Sequence, residues 1–165
     1  MEIMLAYDHS RNARIALDAI RDLFGPLKPN VTLVSVVEDI GSATAGADEL
    51  FTEQYQAQKK GVEAAAAELM AAGFAAKVMI AEGDARKMIL RATEEQRPDL
   101  LVMARHSHQA DGGPLGFITR RLDAIAEEFD HMTFGSVSAF LARRAKCPIL
   151  IIPTHVPATS VRAAE

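Results

Sequence analysis

Chemistry in this chain has a few places to come from. Asp8-His9-Ser10 follows a short apolar run and carries the residue types of a nucleophile, a base and an acid. Neighbouring residues at a strand end project in different directions, whereas the members of a catalytic triad converge in space, so no catalysis is assigned to them. Gly135-Ser136-Val137-Ser138 opens a predicted helix. A helix start offers free N–H groups and a positive dipole end, and a glycine with two hydroxyls in the first turn suits phosphate oxygens. The same serines would serve equally well as helix caps. His106, His108 and His131 stand near Asp111 and Asp130. His-x-His is a zinc or copper spacing, but two ligands without a third fixed in place define no metal site, and none is assigned. Cys147 precedes a proline at a predicted helix end and reads as buried rather than reactive.

The elements that must position these residues follow from hydrophobic period. Ile3–Tyr7 is a short apolar run suited to a buried strand. From Ser10, an N-cap residue, Ala13, Ala16, Leu17, Ile20, Leu23 and Phe24 recur at helical spacing until Gly25-Pro26, where the helix is expected to stop. Val31–Val37 is a β-branched strand, and a loop spans Gly41–Gly46. Asp48–Ala72 reads as a long helix ending at Gly73. Ala76–Ala81 is the third strand, Gly83-Asp84 a turn with an N-cap, and Met88, Ile89 and Ala92 the apolar face of a helix closed by Pro98. Leu100–Ala104 is wholly apolar, as befits a parallel strand covered on both faces. Ile118, Leu122, Ile125 and Phe129 phase a further helix within an irregular stretch. The last helix, from Gly135-Ser136, is expected to bury Val137, Phe140 and Leu141, with Arg143, Arg144 and Lys146 at its dipole-negative end. Ile149–Ile152 is the fifth strand, and the tail 154–165 reads as flexible.

Five strands alternating with helices predict a single α/β domain, doubly wound, with a parallel sheet, right-handed crossovers and helices on both faces. In such a sheet ligands bind beyond the carboxyl ends of the strands, where the winding reverses. That rule selects Asp8, His9 and Ser10, then Val37 and Glu38, then Ala104–Ser107, with the Gly135 helix start beside them. A small anionic ligand, nucleotides included, fits this set.

Composition narrows the classes. The 165 residues carry 18 Lys+Arg against 22 Asp+Glu, a net charge of −4. This acidic balance excludes a general nucleic-acid binder, which needs a basic surplus. Hydrophobic residues at 49% and charged residues at 24% exclude wholesale disorder. The single cysteine makes no internal disulfide. No signal peptide and no apolar run long enough for a membrane span are read, so a soluble cytoplasmic protein with no membrane partner is expected.

Ile3–Ser10 resembles the opening strand and Asp-Gly-Ser turn of the universal stress protein family. Glu82-Gly83-Asp84-Ala85, Ile89 and Asp99–Met103 resemble its middle block. Phe134–Ser138 with Arg143–Pro153 resembles its C-terminal block. The resemblance runs in order from about residue 2 to 153, giving one domain over 1–153 with 108–134 as an insertion. It implies a Rossmann-like sheet of the adenine-nucleotide alpha-hydrolase type, in order 3-2-1-4-5, with an inserted helix between strand four and the last helix. It also implies a homodimer formed through the last strand, Ile149, Leu150, Ile151 and Ile152. The bare pattern agrees, because an uncovered apolar edge strand is an aggregation hazard that symmetric pairing removes; the alternative is that helices cover both faces and Pro153 simply truncates the strand.

ATP-binding members carry Gly-x-x-Gly, nine residues, then Gly-Ser or Gly-Thr. Here Ala104 and Ser107 stand at the first two glycines, the spacer His108–Phe134 has 27 residues, and only Gly135-Ser136 matches. The resemblance implies ATP or a related adenine nucleotide as cofactor. Asp8 would serve the adenosine end and the Val36-Val37 wall the base. Met103, Ala104 and Ser107 would lie along the ligand, and Gly135, Ser136, Val137 and Ser138 would hold phosphate. The implied role is a stress-response regulator acting on a further protein partner, with at most slow ATP hydrolysis, since no general base or acidic metal pair stands beside Gly135. Two alternatives are a nucleotide-free dimeric scaffold of the same fold and a small hydrolase using the inserted helix. In that insertion Gly112–Gly116 is a turn leading to a Thr119–Phe129 helix, whose Arg120 or Arg121 could reach phosphate as a lid or stay solvated.

Overall fold

The computed structural model describes residues 1–38, 47–105 and 135–153, with the backbone alone at 47–50. The loop 41–46, the insertion 108–134 and the tail lie outside the described residues.

Five strands, β1 (Glu2–Ala6), β2 (Asn30–Val37), β3 (Ala75–Glu82), β4 (Leu100–Ala104) and β5 (Ile149–Ile152), form one sheet in the order β3-β2-β1-β4-β5. Every pairing is parallel. Ile3 lies opposite Val31 on one side and Leu100 on the other, and Leu101 lies opposite Ile149. The expected order therefore holds, and β1 is the central strand.

Helix α1 (Arg11–Phe24) starts because Ser10, in extended backbone, accepts the Ala13 N–H on its Oγ at 3.0 Å. Its buried residues Ala13, Ala16, Leu17 and Ile20 fall on one helical stripe. The α-helix stops at Gly25-Pro26, as expected, and a short 3-10 turn follows it. Gly25 keeps right-handed backbone and Gly25–Leu27 forms a 3-10 turn, with Pro26 at a position whose missing N–H has no helical partner to lose. The chain leaves on Lys28 at φ 44°.

Helix α2 (Ala47–Ala71) buries Val62, Ala65, Ala66 and Leu69. Gly73 at φ 84° closes it. The Gly73 and Phe74 N–H groups return to Met70 and Leu69 carbonyls at 2.9 and 3.0 Å. Helix α3 (Ala85–Gln96) is capped by Asp84, which accepts the Arg86 and Lys87 N–H groups. Helix α4 (Ser136–Arg144) precedes β5.

Alternation along the strands divides the core. Ile3, Leu5, Tyr7, Val31, Leu33 and Val102 pack with α1 and α2 on one face. Met4, Val34, Leu101 and Met103 pack with Ile89, Ala92 and Leu141 of α3 and α4 on the other. Of the three residues expected to be buried by the last helix, only Leu141 is; Val137 and Phe140 are half-buried. The Arg144 guanidinium covers one face of the Phe140 ring, 4.6 Å from its centroid. Among the described residues no helix is long and apolar enough to cross a membrane.

Candidate functional site

The site is built where β1 stops before its neighbour does. The Tyr7 N–H donates to the Val34 carbonyl at 2.9 Å, and there β1 leaves the sheet. Strand β2 runs on to Val37. Main-chain groups alternate sides along a strand, so Val36 directs its N–H and C=O to the side that Val34 uses, past the end of β1. Val37 directs its carbonyl the other way, where the Gly83 N–H takes it at 2.9 Å. The Val37 side chain is buried and that of Val36 half-buried against the α3–α4 side. What β2 offers to the crevice is thus a donor–acceptor edge.

The turn after β1 separates Asp8, His9 and Ser10. Exposed Asp8 accepts the Ser10 N–H on Oδ1 at 3.0 Å. Ser10 caps α1. His9 takes the left-handed conformation, φ 65°, and sends its ring to α2. There its Nε2–H donates to the Gln58 carbonyl at 2.8 Å, which fixes the proton on Nε2 in the neutral ring. The ring lies edge-on to Tyr7, with centroids 5.1 Å apart, and fills the space beside Gly61. Three side chains go to three places, so the triplet has no convergent catalytic geometry.

Beside β1, strand β4 ends at Met103 and Ala104. Met103 is 3% exposed and belongs to the core, while Ala104 is half-buried and pairs with Ile152. The Arg105 N–H then donates to the Ile152 carbonyl at 2.8 Å. Ser107 lies outside the described residues, as do His106, His108, His131 and their neighbouring aspartates. Among the described residues no group of three His, Cys, Asp or Glu could hold a metal ion.

Helix α4 supplies the fourth side. Shortly beyond its end the Pro148 carbonyl accepts the Leu101 N–H, so that end lies at the amino edge of the sheet. A helix of 9 residues climbs about 14 Å, close to the length of the strand it covers. Gly135 therefore opens α4 at the carboxyl edge, the edge that Asp8, Val36 and Ala104 share. The capping role open to its serines is not taken. The N-cap is Gly135, the helix has no side-chain cap, and the buried Ser138 hydroxyl donates back to the Gly135 carbonyl at 2.9 Å. Ser136 is exposed and Val137 half-buried.

Opposite this edge, between the ends of α1 and α2, lies a surface hollow of about 300 Å³ lined by Arg21, Glu68, Ala71 and Ala72. It contains none of the predicted site residues and no convergent polar set, so the carboxyl edge remains the candidate. Nearby charges are paired. Arg86 binds Asp84 and holds that carboxyl at about 2, below its usual 3.8. Burial pushes the Tyr7 phenol up, with Arg14 opposing. Sequence reasoning passed over Gln58, whose Nε2 donates to Ser35 Oγ at 2.9 Å and stands 3.5 Å from the Val36 carbonyl. The available signal was Gly61, a lone glycine inside a long helix, which marks a close approach.

An open parallel sheet of this order, with a reversal between β1 and β4, defines a doubly wound, Rossmann-like α/β domain. The family model described as the universal stress protein family matches residues 1–153, and the chain belongs to that family. Universal stress protein UspA from Lactobacillus plantarum superposes with a TM-score of 0.68 at 18% identity, over 92% of this chain and 97% of that one. A family protein from Arabidopsis thaliana with AMP bound gives 0.60 at 19% identity, over 100% and 99%. A universal stress protein in complex with cAMP gives 0.58 at 22% identity, over 94% and 98%. No curated protein matches the chain significantly.

Proposed function

We propose that this protein is a homodimeric stress-response regulator that binds an adenine nucleotide at the carboxyl edge of its sheet. The observation that carries the reading is the opening of α4, which begins on Gly135 without a side-chain cap at the winding reversal. Its free N–H groups and dipole favour negative charge. The Val36 edge supplies one donor and one acceptor, the complement of an aminopurine ring edge. Asp8 lies toward the ribose, Val37 backs the base, Ala104 floors the crevice with Met103 in the core behind it, and Ser136 with the Val137 and Ser138 amides receives phosphate. Relatives with AMP and cAMP bound support an adenine ligand. ATP and Ser107 belong to the finer form of the same proposal.

Calorimetry with AMP, cAMP and ATP tests it. Gly135 has φ −56°, which any L-residue adopts, so Gly135→Val fills the cradle without straining the backbone. Binding should be abolished while the fold persists. Wild-type protein that takes up none of the three nucleotides refutes the reading and favours the nucleotide-free scaffold, for which the Ala104 methyl at a family glycine position speaks. Dimerisation is proposed through β5, which lies at an end of the sheet order, with Ile149, Leu150 and Ile151 half-buried. Light scattering should show a dimer that Ile151→Lys dissociates.

A further inference from the structure

The Val36 acceptor proposed for the base already has a side chain of the protein beside it. The Gln58 carboxamide donates one N–H to Ser35 Oγ at 2.9 Å, and its nitrogen stands 3.5 Å from the Val36 carbonyl, the outer limit of a hydrogen bond. A primary amide there has the donor chemistry of an exocyclic purine amine. One helical turn away, and nearer the carboxyl edge because α2 runs antiparallel to β2, lies Gln54. Its Oε1 is buried and, among the described residues, is the side-chain acceptor without a hydrogen-bond partner. Residues four apart on a helix face one another, within reach of a side-chain pair. Meanwhile the Gln58 main-chain carbonyl is held by His9, so the helix stays in place when the side chain turns.

We propose that Gln58 is a stand-in occupant of the base edge. Without ligand its carboxamide shields the Val36 carbonyl; when an aminopurine arrives, the amide gives way and turns to the waiting Gln54 carbonyl. The proposal rests on the adenine-nucleotide reading of the site. It makes the site self-screened: a ligand with an amino group compensates for the displaced amide, whereas a 6-oxo purine sets one carbonyl oxygen against another and gains nothing.

AMP and IMP binding to wild type, Gln58→Met and Gln54→Met tests this. Gln58→Met keeps the length of the side chain and the main-chain bond to His9 while removing the competitor. It should bind AMP about three- to tenfold more tightly, because the 2.9 Å bond to Ser35 Oγ that wild type gives up when the amide turns is no longer there to break. Gln54→Met removes the receiving acceptor and should weaken AMP binding. IMP should bind more weakly than AMP throughout. In wild-type protein the Gln58 side-chain NH₂ resonances, assigned by their loss in Gln58→Met, should shift on adding AMP; this readout does not depend on the variant's stability. Wild type that binds AMP with the Kd of Gln58→Met, or more tightly, overturns the proposal alone. Wild type and Gln58→Met that both fail to bind AMP overturn the nucleotide reading together with it.

Discussion

Replacing Gly61 by alanine puts the contact between the β1 turn and α2 to a quantitative test. In an ordinary helix interior Gly→Ala stabilises by about 0.5–1 kcal/mol, because glycine loses the most backbone freedom on folding. Here the new Cβ would lie 2.3 Å from His9 Cε1 and 2.4 Å from Nδ1, so the ring has to leave. Leaving breaks the 2.8 Å bond to the Gln58 carbonyl, about 1 kcal/mol. It also gives up the edge-on contact with Tyr7, about 0.5–1 kcal/mol. The losses exceed the gain, and Gly61→Ala should destabilise by about 0.5–1.5 kcal/mol. His9→Gly vacates the space and suits the 65° φ better than histidine does. In that background Gly61→Ala recovers its ordinary gain. The two sites should therefore couple by about 1.5–2 kcal/mol, read from urea unfolding of wild type, both single variants and the double variant. A Gly61→Ala substitution that stabilises equally in both backgrounds refutes the contact.

Further outcomes follow from the caps and the thiol. Ser10→Ala removes the Oγ acceptor from α1 and should cost about 1 kcal/mol in chemical denaturation, whereas Ser10→Asp should keep most of it. The Asp84 carboxyl, held at about 2 by Arg86, is ionised more readily folded than unfolded. Its contribution is complete above the unfolded value of 3.8 and fades as pH falls toward about 2. The melting-temperature gap between wild type and Asp84→Asn, an equally good cap without the charge, should therefore narrow across that window; a gap that widens contradicts the ion pair. Burial pushes the Cys147 thiol up, so alkylation at mildly alkaline pH should be slower in native than in urea-unfolded protein. Equal rates would show that the thiol is not shielded.

Hydrophobic period placed every strand, and Leu100–Ala104 and Ile149–Ile152 have the bounds expected of them. Their side chains are apolar throughout, so nothing blurred the ends. The strand order came from the family resemblance, since alternation says which residues face a core but not which strand lies beside which. The carboxyl-edge rule selected Asp8, Ala104 and Gly135 from the order of the elements alone. The sequence could not announce what each would bond: Ser138 spends its hydroxyl on its own turn, and Val36 matters through its main chain, which every residue has. The His9–Gly61 contact joins elements far apart in the chain, and periodicity has no term for such pairs. Gly25-Pro26 marked the end of α1 correctly; the 3-10 turn that follows had no signal of its own in the sequence.

The central position of β1 has a consequence for how the chain matures. Its second neighbour, β4, begins at Leu100, so at about 5–20 residues per second the nascent strand waits about 5–20 s on the ribosome for that partner. Until then β1, β2 and β3 can assemble under α1 and α2, but the reverse side, with Met4 and Val34, has only α3 to cover it. The half-made sheet is a natural client for chaperones, and destabilising lesions in β4 should surface first as aggregation during synthesis, before any loss in the finished molecule.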